Sequence, residues 1–208
     1  NYKKDDKINT FISNFTKIKK IDPKIKIKNK IKRIVLEGGS IDVNGKGSIL
    51  LTKECLLSKV QERNPGIKKK QYEDLLCKYL NVSNFIWLNK GIIGDDTHGH
   101  VDDISRFISK NTILTAVEVN KKSPNYKILN DNLKILKNSK NEIGKKFNII
   151  KVPMPKPIYI KKTIVPASYM NFFIANKIVL LPIFNDKNDS RVISIFKRNF
   201  KKRKIVTI

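Results

Sequence analysis

The sequence of 208 residues is strongly basic, with 44 Lys and Arg against 18 Asp and Glu and a formal net charge of +26. Its apolar content of 40% is enough to bury a core, which excludes an intrinsically disordered tail. The longest apolar stretch, Ile178–Phe184, contains a proline and falls far short of the ~20 residues that a membrane helix needs. We therefore expect a globular protein without a membrane partner.

The basic charge consists almost entirely of lysine, because only six of the 44 basic residues are Arg. The lysines accompany an excess of Asn and Ile, a combination that AT-rich coding sequences produce whatever the protein does. Sites that read bases favour Arg, whose planar fork bonds guanine with two hydrogen bonds. We expect no specific nucleic-acid partner, and nonspecific binding of polyanions by Lys-rich runs such as Lys201–Lys204 is kept as an alternative function.

The two cysteines, Cys55 and Cys77, do not form a C-x-x-C pair and are too few to cross-link a fold of this size. Both lie in apolar or amphipathic segments and are interpreted as core thiols rather than as nucleophiles. No signal peptide is recognisable at the start of the chain. We therefore predict a cytoplasmic location.

The first part of the chain predicts one helix and one buried strand. Apolar residues at helical spacing predict a helix over Asp5–Thr16, with Asp5 or Asp6 as its cap. Lys and Ile then alternate over Lys24–Lys28. The apolar segment Ile34–Leu36 is predicted to be a strand that leads into Glu37-Gly38-Gly39.

The rest of the chain repeats one order of elements three times: a hairpin, a helix and a returning strand. In the first repeat the hairpin turns at Asn44-Gly45, a pair typical of a type I′ turn. The predicted elements are Ile41–Val43, Ser48–Thr52, Gln71–Leu80 and Asn84–Leu88; then His98–Ile108, Thr112–Val119, Asn125–Lys137 and Phe147–Val152; then Ser168–Ile174, Lys177–Leu181, Ser190–Arg198 and Lys204–Thr207. Such a repeat predicts a propeller-like or solenoid α/β arrangement.

The densest polar segment, Gly94–Asp103, contains both histidines of the protein. If Gly99–Phe107 is a strand, His100 and Asp102 lie on the same face. An imidazole beside a carboxylate is suited to proton transfer near neutral pH or to holding a cationic substrate. The same pair also occurs as an ordinary surface ion pair.

A zinc site is the second interpretation of this segment. The spacing His98-x-His100-x-Asp102 is similar to the ligand string of metallo-β-lactamase-type hydrolases. That string ends in a further His, whereas this sequence has Asp103, and no His follows it downstream. We therefore predict no metal site.

Five motifs, in order, resemble those of the agmatine deiminase and Porphyromonas-type peptidylarginine deiminase family. Leu36–Ser48 resembles the family's E-G-G-S-I-x-x-x-G-x-G-S/T segment, and Gly94–Asp103 resembles its D-D-T-D/H-G-H-V-D signature. The other matching segments are Thr52-x-x-Cys55-Leu56-Leu57, Arg63-Asn64-Pro65 with Ile86-Trp87-Leu88, and Pro166–Phe172. The resemblance covers nearly the whole chain.

The resemblance implies a pentein-type five-bladed α/β propeller, of which this chain covers about three ββαβ-like units. Residues 1–208 are then the central part of a single deiminase domain, truncated at both ends. The family's Gly-Gly-Gly-x-His-Cys segment, with its nucleophile, and its upstream Arg-Asp-x-Gly-Pro segment are not found here. The chain alone is therefore expected to be inactive.

The resemblance also implies a reaction and site residues. A Cys thiolate of the parent protein attacks the guanidinium carbon of agmatine, giving N-carbamoylputrescine and ammonia without metal or organic cofactor. The residue roles implied are His100 as general acid and base, Glu37 as the group orienting His100, and Asp102, Asn171 and Asp96 as substrate-binding residues. An arginine peptide is the alternative substrate, a homo-oligomer is compatible with the family, and a non-catalytic remnant is the alternative of another class.

Overall fold

The structure is a computed structural model that describes residues 4, 7–27 and 29–208. The chain divides into two compact units, the first ending at Val35 and the second spanning Leu36–Ile208. No helix among the described residues has the length and apolar character that crossing a bilayer requires. Each unit is described by itself below.

The first unit contains a helix and a two-stranded hairpin. Helix α1 spans Ile8–Thr16, and strands β1 (Lys24–Ile27) and β2 (Lys30–Arg33) pair antiparallel. The predicted helix therefore begins at Ile8, and the two predicted capping residues, Asp5 and Asp6, lie outside the described residues. The predicted strand Ile34–Leu36 is wrong, because pairing in this region ends with β2 at Arg33 and one further bond from the Ile34 N–H to the Pro23 carbonyl at 2.9 Å.

The second unit contains the three predicted repeats, each folded as ββαβ. In every repeat an antiparallel pair is followed by a helix and then by a strand parallel to the second strand. Repeat 1 has β3 (Ile41–Val43), β4 (Ser48–Thr52), α2 (Lys53–Leu57), α3 (Lys69–Leu80) and β5 (Asn84–Leu88). Repeat 2 has β6 (Ser105–Ser109), β7 (Thr112–Val117), α4 (Tyr126–Asn138) and β8 (Asn148–Pro153). A hairpin of β9 (Ile158–Ile160) and β10 (Thr163–Val165) precedes repeat 3, which has β11 (Phe173–Ile174), β12 (Ile178–Leu181), α5 (Asp189–Asn199) and β13 (Lys204–Thr207).

The helices are needed because parallel strands cannot be joined by a tight turn.

Strand β4 is buried along its whole length, and its alternating side chains divide between two cores. Leu50 packs into the larger core, which extends through repeats 2 and 3. Ile49 and Leu51 pack with Cys55 and α3 in a smaller core. Because successive side chains of β4 point to opposite faces and both faces are buried, this strand contributes to both cores.

Two predicted details of the repeats are wrong, each because a polar side chain reshapes the backbone. The Asn44-Gly45 turn is not type I′, since Asn44 is not at positive φ and its Oδ1 instead accepts from the N–H groups of Lys46 and Ser48. The strand predicted over Ser168–Ile174 begins only at Phe173, because the Ser168 hydroxyl accepts from the Met170 N–H and stabilises a turn. The hairpin of β9 and β10 lies in a segment where no strand was predicted.

One buried ion pair connects all three repeats. The Arg106 Nε of β6 donates to Asp42 Oδ2 of β3 at 2.5 Å, and Arg106 Nη1 donates to the Phe172 carbonyl at 3.0 Å. The Arg106 guanidinium also lies 4.9 Å from the centre of the Phe172 ring. The other Asp42 oxygen accepts from the Phe107 N–H at 2.8 Å. These bonds fix the ends of the repeats beside which the candidate site lies.

Candidate active site

The site is formed where two short 3-10 turns pack against each other. Glu37 directly precedes the turn Gly38–Ser40, and His100 directly precedes the turn Val101–Asp103. The Glu37 Oε2 lies 2.6 Å from His100 Nε2. The expected contact between Glu37 and His100 is therefore present in the structure.

His100 and Asp102 do not lie on a strand, so the predicted strand over His98–Ile108 is wrong before Ser105. Positive φ values at His98 (61°) and Gly99 (91°) break the extended conformation, and β6 begins only at Ser105. The two side chains nevertheless converge, because both face the α-carbon of Gly39. A Cβ at that position would lie 2.4 Å from His100 Nδ1 and 2.9 Å from Asp102 Oδ2.

The backbone before His100 is held by Asp95. Its Oδ2 accepts from the N–H groups of Gly99 (2.8 Å) and His100 (3.1 Å), and its Oδ1 accepts from the Thr97 N–H at 2.8 Å. From the other side, the Thr52 hydroxyl donates to the Gly99 carbonyl at 2.5 Å. These bonds satisfy the polar groups of an irregular loop and define where the His100 side chain begins.

Arg63 contacts the opposite side of Glu37. Its Nε lies 3.1 and 3.2 Å from the two carboxylate oxygens, and its Nη2 donates to Oε2 at 3.0 Å. The same Nη2 also donates to the Thr97 carbonyl. The Arg63 side chain is only 10% exposed. Arg63 lies in one of the motifs that resemble the family, but the sequence pattern indicated no role for it in the site.

Glu37 is ionised in this arrangement. Burial disfavours its charge, but the hydrogen bonds from Arg63 and His100 outweigh that effect and hold the pKa of Glu37 below its ordinary value. An ionised carboxylate only accepts hydrogen bonds, so His100 must donate from Nε2. The nitrogen that His100 has left for exchanging a proton with a ligand is Nδ1, on the side of Gly39 and Asp102.

Asp102 has the one buried side-chain oxygen, among the described residues, that lacks a hydrogen-bond partner: Oδ1. Burial and the nearby Asp95 raise the pKa of Asp102, although the charges of Arg106 and His100 partly oppose the shift. Leaving such an acceptor unsatisfied costs free energy of about 1–3 kcal/mol. A ligand that donates N–H groups would satisfy it.

Cys55 is closer to the site than the sequence suggested. Its thiol is buried in the smaller core, as expected, but Sγ also lies in a group with Glu37 and His100 in which the donor atoms are within 4.8 Å of one another. Burial raises the pKa of Cys55 to about 11, so the thiol stays protonated and is a poor nucleophile.

These three donors are of types that bind zinc, yet they are poorly prepared for it. Glu37 and His100 already bond each other, and the Arg63 guanidinium beside Glu37 opposes a second cation. His98, the first residue of the zinc spacing considered above, lies 3.3 Å from the Ser58 hydroxyl and does not join this group of donors.

Asn171 and Asp96 lie in a neighbouring cavity and not in the cluster of Glu37, His100 and Asp102. The Asn171 Nδ2 donates to Asp103 Oδ1 at 2.8 Å, and burial raises the pKa of Asp103 to about 6. Asp96 is exposed. The cavity measures about 320 Å³ and is lined by Asp95, Asp96, Thr97, Asp103, Pro166, Ser168, Asn171, Pro182 and Phe184. The predicted substrate-binding residues thus fall into two adjoining places.

The sequence model of the Porphyromonas-type peptidyl-arginine deiminase family matches residues 1–208. The chain belongs to this family. The resemblance seen in the five motifs is thereby confirmed.

Similar proteins agree with this assignment. The agmatine deiminase of Medicago truncatula is 36% identical over 195 residues, which cover 84% of this chain and 52% of that protein. A Cys-to-Ser variant of the C. jejuni agmatine deiminase with substrate bound is 31% identical, with a TM-score of 0.83, and the match covers 98% of this chain and 57% of that chain. The agmatine deiminase of Enterococcus faecalis is 34% identical, with a TM-score of 0.76, and the match covers 84% and 52%.

The chain spans about half the length of the curated relatives it matches. With its three ββαβ repeats and these solved structures as neighbours, the fold is a partial pentein-type α/β propeller. The predicted fold class is therefore confirmed.

Proposed function

We propose that this chain supplies the substrate clamp and the proton-transfer groups of an agmatine deiminase. The observation that supports the proposal is the unpartnered Asp102 Oδ1, next to a His100 whose other nitrogen is bound by Glu37. A guanidinium is planar, stays protonated at any relevant pH and donates several N–H bonds, so it suits a carboxylate with an open lone pair. The names of the similar proteins support agmatine as the guanidinium compound.

In the proposed reaction a cysteine thiolate adds to the guanidinium carbon. The C–N bond then breaks as the protonated His100 gives its proton to the departing nitrogen, which leaves as ammonia, and His100 becomes neutral. Neutral His100 takes a proton from a water molecule, whose oxygen adds to the same carbon. The C–S bond breaks, the thiolate is released, and the product gives its extra proton to the ammonia, so that N-carbamoylputrescine and ammonium result. Glu37 orients the imidazole, and Asp102 holds the guanidinium in place.

On our proposal, these 208 residues are the central part of one domain of a longer protein. The thiolate of the reaction comes from a part of that protein outside these residues. Cys55 is a buried thiol with a pKa of about 11. The prediction that Cys77 is a core thiol is wrong, because Cys77 lies on the exposed face of α3. Neither combines access to the site with a reactive thiolate.

Binding of agmatine to the chain tests the clamp without requiring turnover. Calorimetry should detect agmatine but much weaker binding of putrescine, which has the same amine and lacks the guanidinium. Asp102→Asn keeps the shape and removes the charge, and it should weaken agmatine binding at least about ten-fold. Equal binding of agmatine and putrescine would contradict the proposal. In the complete protein, a His100→Ala variant that still released ammonia at the normal rate would refute the role of His100.

A peptidyl arginine is the second candidate substrate, since the family model carries that name. Ammonia release from agmatine and from an arginine peptide, measured side by side on the complete protein, separates the two.

The net charge of +26 favours the third candidate, nonspecific polyanion binding. Strong, salt-dependent retention on heparin together with no binding of agmatine would favour that function.

A further inference from the structure

We propose that Arg63 is a positioning residue, which holds Glu37 as a hydrogen-bond acceptor and thereby fixes the tautomer of His100. The inference rests on the proposed function for its catalytic consequence, but the arrangement itself is independent of it. Arg63 contacts no reacting atom on this proposal. It acts through Glu37.

The geometry commits both oxygens of Glu37. Arg63 Nε lies within hydrogen-bond distance of both, and Arg63 Nη2 and His100 Nε2 share Oε2, at 3.0 and 2.6 Å. The paired fork prevents the carboxylate from rotating away from the imidazole. A lysine at this position would keep the charge but lose the fork.

Burial raises the pKa of Glu37, but the hydrogen bonds from Arg63 and His100 lower it further, so Glu37 stays a hydrogen-bond acceptor to a lower pH than a carboxyl without Arg63 would. A protonated Glu37 would be able to donate to His100 Nε2 and would stabilise the tautomer with its proton on Nδ1. That tautomer has no lone pair on Nδ1 to accept a proton on the side of Asp102. Arg63 therefore selects the neutral imidazole whose Nδ1 can act as a base there.

Arg63 further separates the duties of two carboxylates. Glu37 is neutralised by Arg63 and is not available to a cationic ligand, whereas Asp102 Oδ1 is open. The bond from Arg63 Nη2 to the Thr97 carbonyl fixes the same guanidinium to the loop that leads into His100. One side chain thus links the two loops that bring Glu37 and His100 together.

The direct test is the ¹⁵N chemical shifts of the histidine rings in this chain, which distinguish the two neutral tautomers. The chain has two histidines, so His98 is an internal reference. We expect wild-type His100 to be mainly the Nε2–H tautomer at high pH. In Arg63→Gln the ratio of Nε2–H to Nδ1–H should fall about ten-fold, the change expected when a charge-assisted hydrogen bond is lost. Arg63→Lys should be intermediate.

Arg203→Gln is the matched control, because it removes the same charge from an exposed arginine whose Nε donates to the Ala175 carbonyl. It should leave the His100 ratio unchanged. Thermal unfolding checks that each variant is folded. If Arg63→Gln does not fold, the His100 tautomer ratio of Arg63→Lys tests the proposal in its place. A His100 ratio in the folded Arg63 variants equal to that of the wild type would overturn the proposal.

The same variants separate this inference from the proposed function. In the complete deiminase, Arg63→Gln should lower kcat about 10²-fold or more with KM little changed, and Arg63→Lys should restore part of the loss. If the wild-type chain fails to bind agmatine while the His100 ratio still responds to Arg63→Gln, the proposed function is wrong and the positioning role stands. A large loss in KM alone would show that Arg63 acts on the substrate, and would overturn the role.

Discussion

Replacement of Gly39 by Ala tests the geometry of the site most directly. The added Cβ would lie 2.4 Å from His100 Nδ1, 2.9 Å from Asp102 Oδ2 and 3.0 Å from Asp102 Oδ1. Carbon atoms and their neighbours reach optimal contact at about 3.5–4.0 Å, so the imidazole would have to move by about 1 Å. His100 has little room to do so, because Glu37 lies 2.6 Å from its other nitrogen.

We expect two measurable losses. Overpacking should destabilise the chain by about 1–3 kcal/mol, which lowers the Tm of a chain of this size by about 2–4 °C for each kcal/mol. A displacement of about 1 Å in a site of this kind can cost about 10²-fold in function, so agmatine binding should weaken by at least ten-fold. Calorimetric titration with agmatine and thermal unfolding measure the two effects.

Gly38→Ala is the matched control, since the two glycines are neighbours and neither has a positive φ. A Cβ on Gly38 meets no atom within 4 Å. This variant should bind agmatine like the wild type and be equally stable or slightly more so. If Gly39→Ala bound agmatine as tightly as Gly38→Ala, the convergence of His100 and Asp102 on Gly39 would not matter for binding and our description of the site would be wrong.

Three further predictions concern the groups around the site. The pKa of Asp103 is about 6 in the folded protein, against about 3.9 in an unfolded chain, so its contribution to stability should fall as pH rises through that interval. Asp103→Asn should therefore be more stable than the wild type by up to about 2 kcal/mol at pH 7.5. Near pH 4 the two should be equally stable, as urea unfolding would show. Arg106→Gln leaves the buried Asp42 without its ion-pair partner and should cost about 3–5 kcal/mol by the same assay, much of it recovered when Asp42→Asn is added. Iodoacetamide at pH 8 should alkylate the exposed Cys77 and spare Cys55 until the protein is unfolded, as mass spectrometry of the digested protein would show.

The repeated sheets were predictable because strands and helices leave local signals. Ile41–Val43, Ser48–Thr52, Asn84–Leu88 and Lys204–Thr207 have the predicted bounds, since each is a short apolar or alternating run between turn residues. Two of the failures, at Asn44 and Ser168, occur where a polar side chain competes for the backbone. Asn44 does so through its own amide oxygen, and such a bond has no periodic signature.

The site was predictable only as far as its motifs reach. The contact between Glu37 and His100 was expected from the family resemblance. Asp102 was expected beside His100 because of alternation along a strand, and that reason is wrong. Arg63 and Cys55 lie in matching motifs, but their role in the site was not predicted, because it depends on contacts with residues distant in the sequence. Local pattern places Cys55 in a core, which is right for its burial, but cannot show that its sulfur faces Glu37.

On the proposed function, the carboxylates around the site would let a protein with a net charge of +26 hold a cation. Charges on the surface are screened over a Debye length of about 8 Å at physiological salt, so the lysines act weakly on a ligand inside the site. The other acidic side chains near the site have hydrogen-bond partners. Glu37 accepts from Arg63 and His100, and Asp42 accepts from Arg106. Asp95 accepts from backbone N–H groups, and Asp103 accepts from Asn171. Asp102 Oδ1 is the one buried side-chain atom among the described residues that has no hydrogen-bond partner. On the proposed function, the affinity for a guanidinium should therefore depend on this one oxygen far more than on the composition of the whole chain.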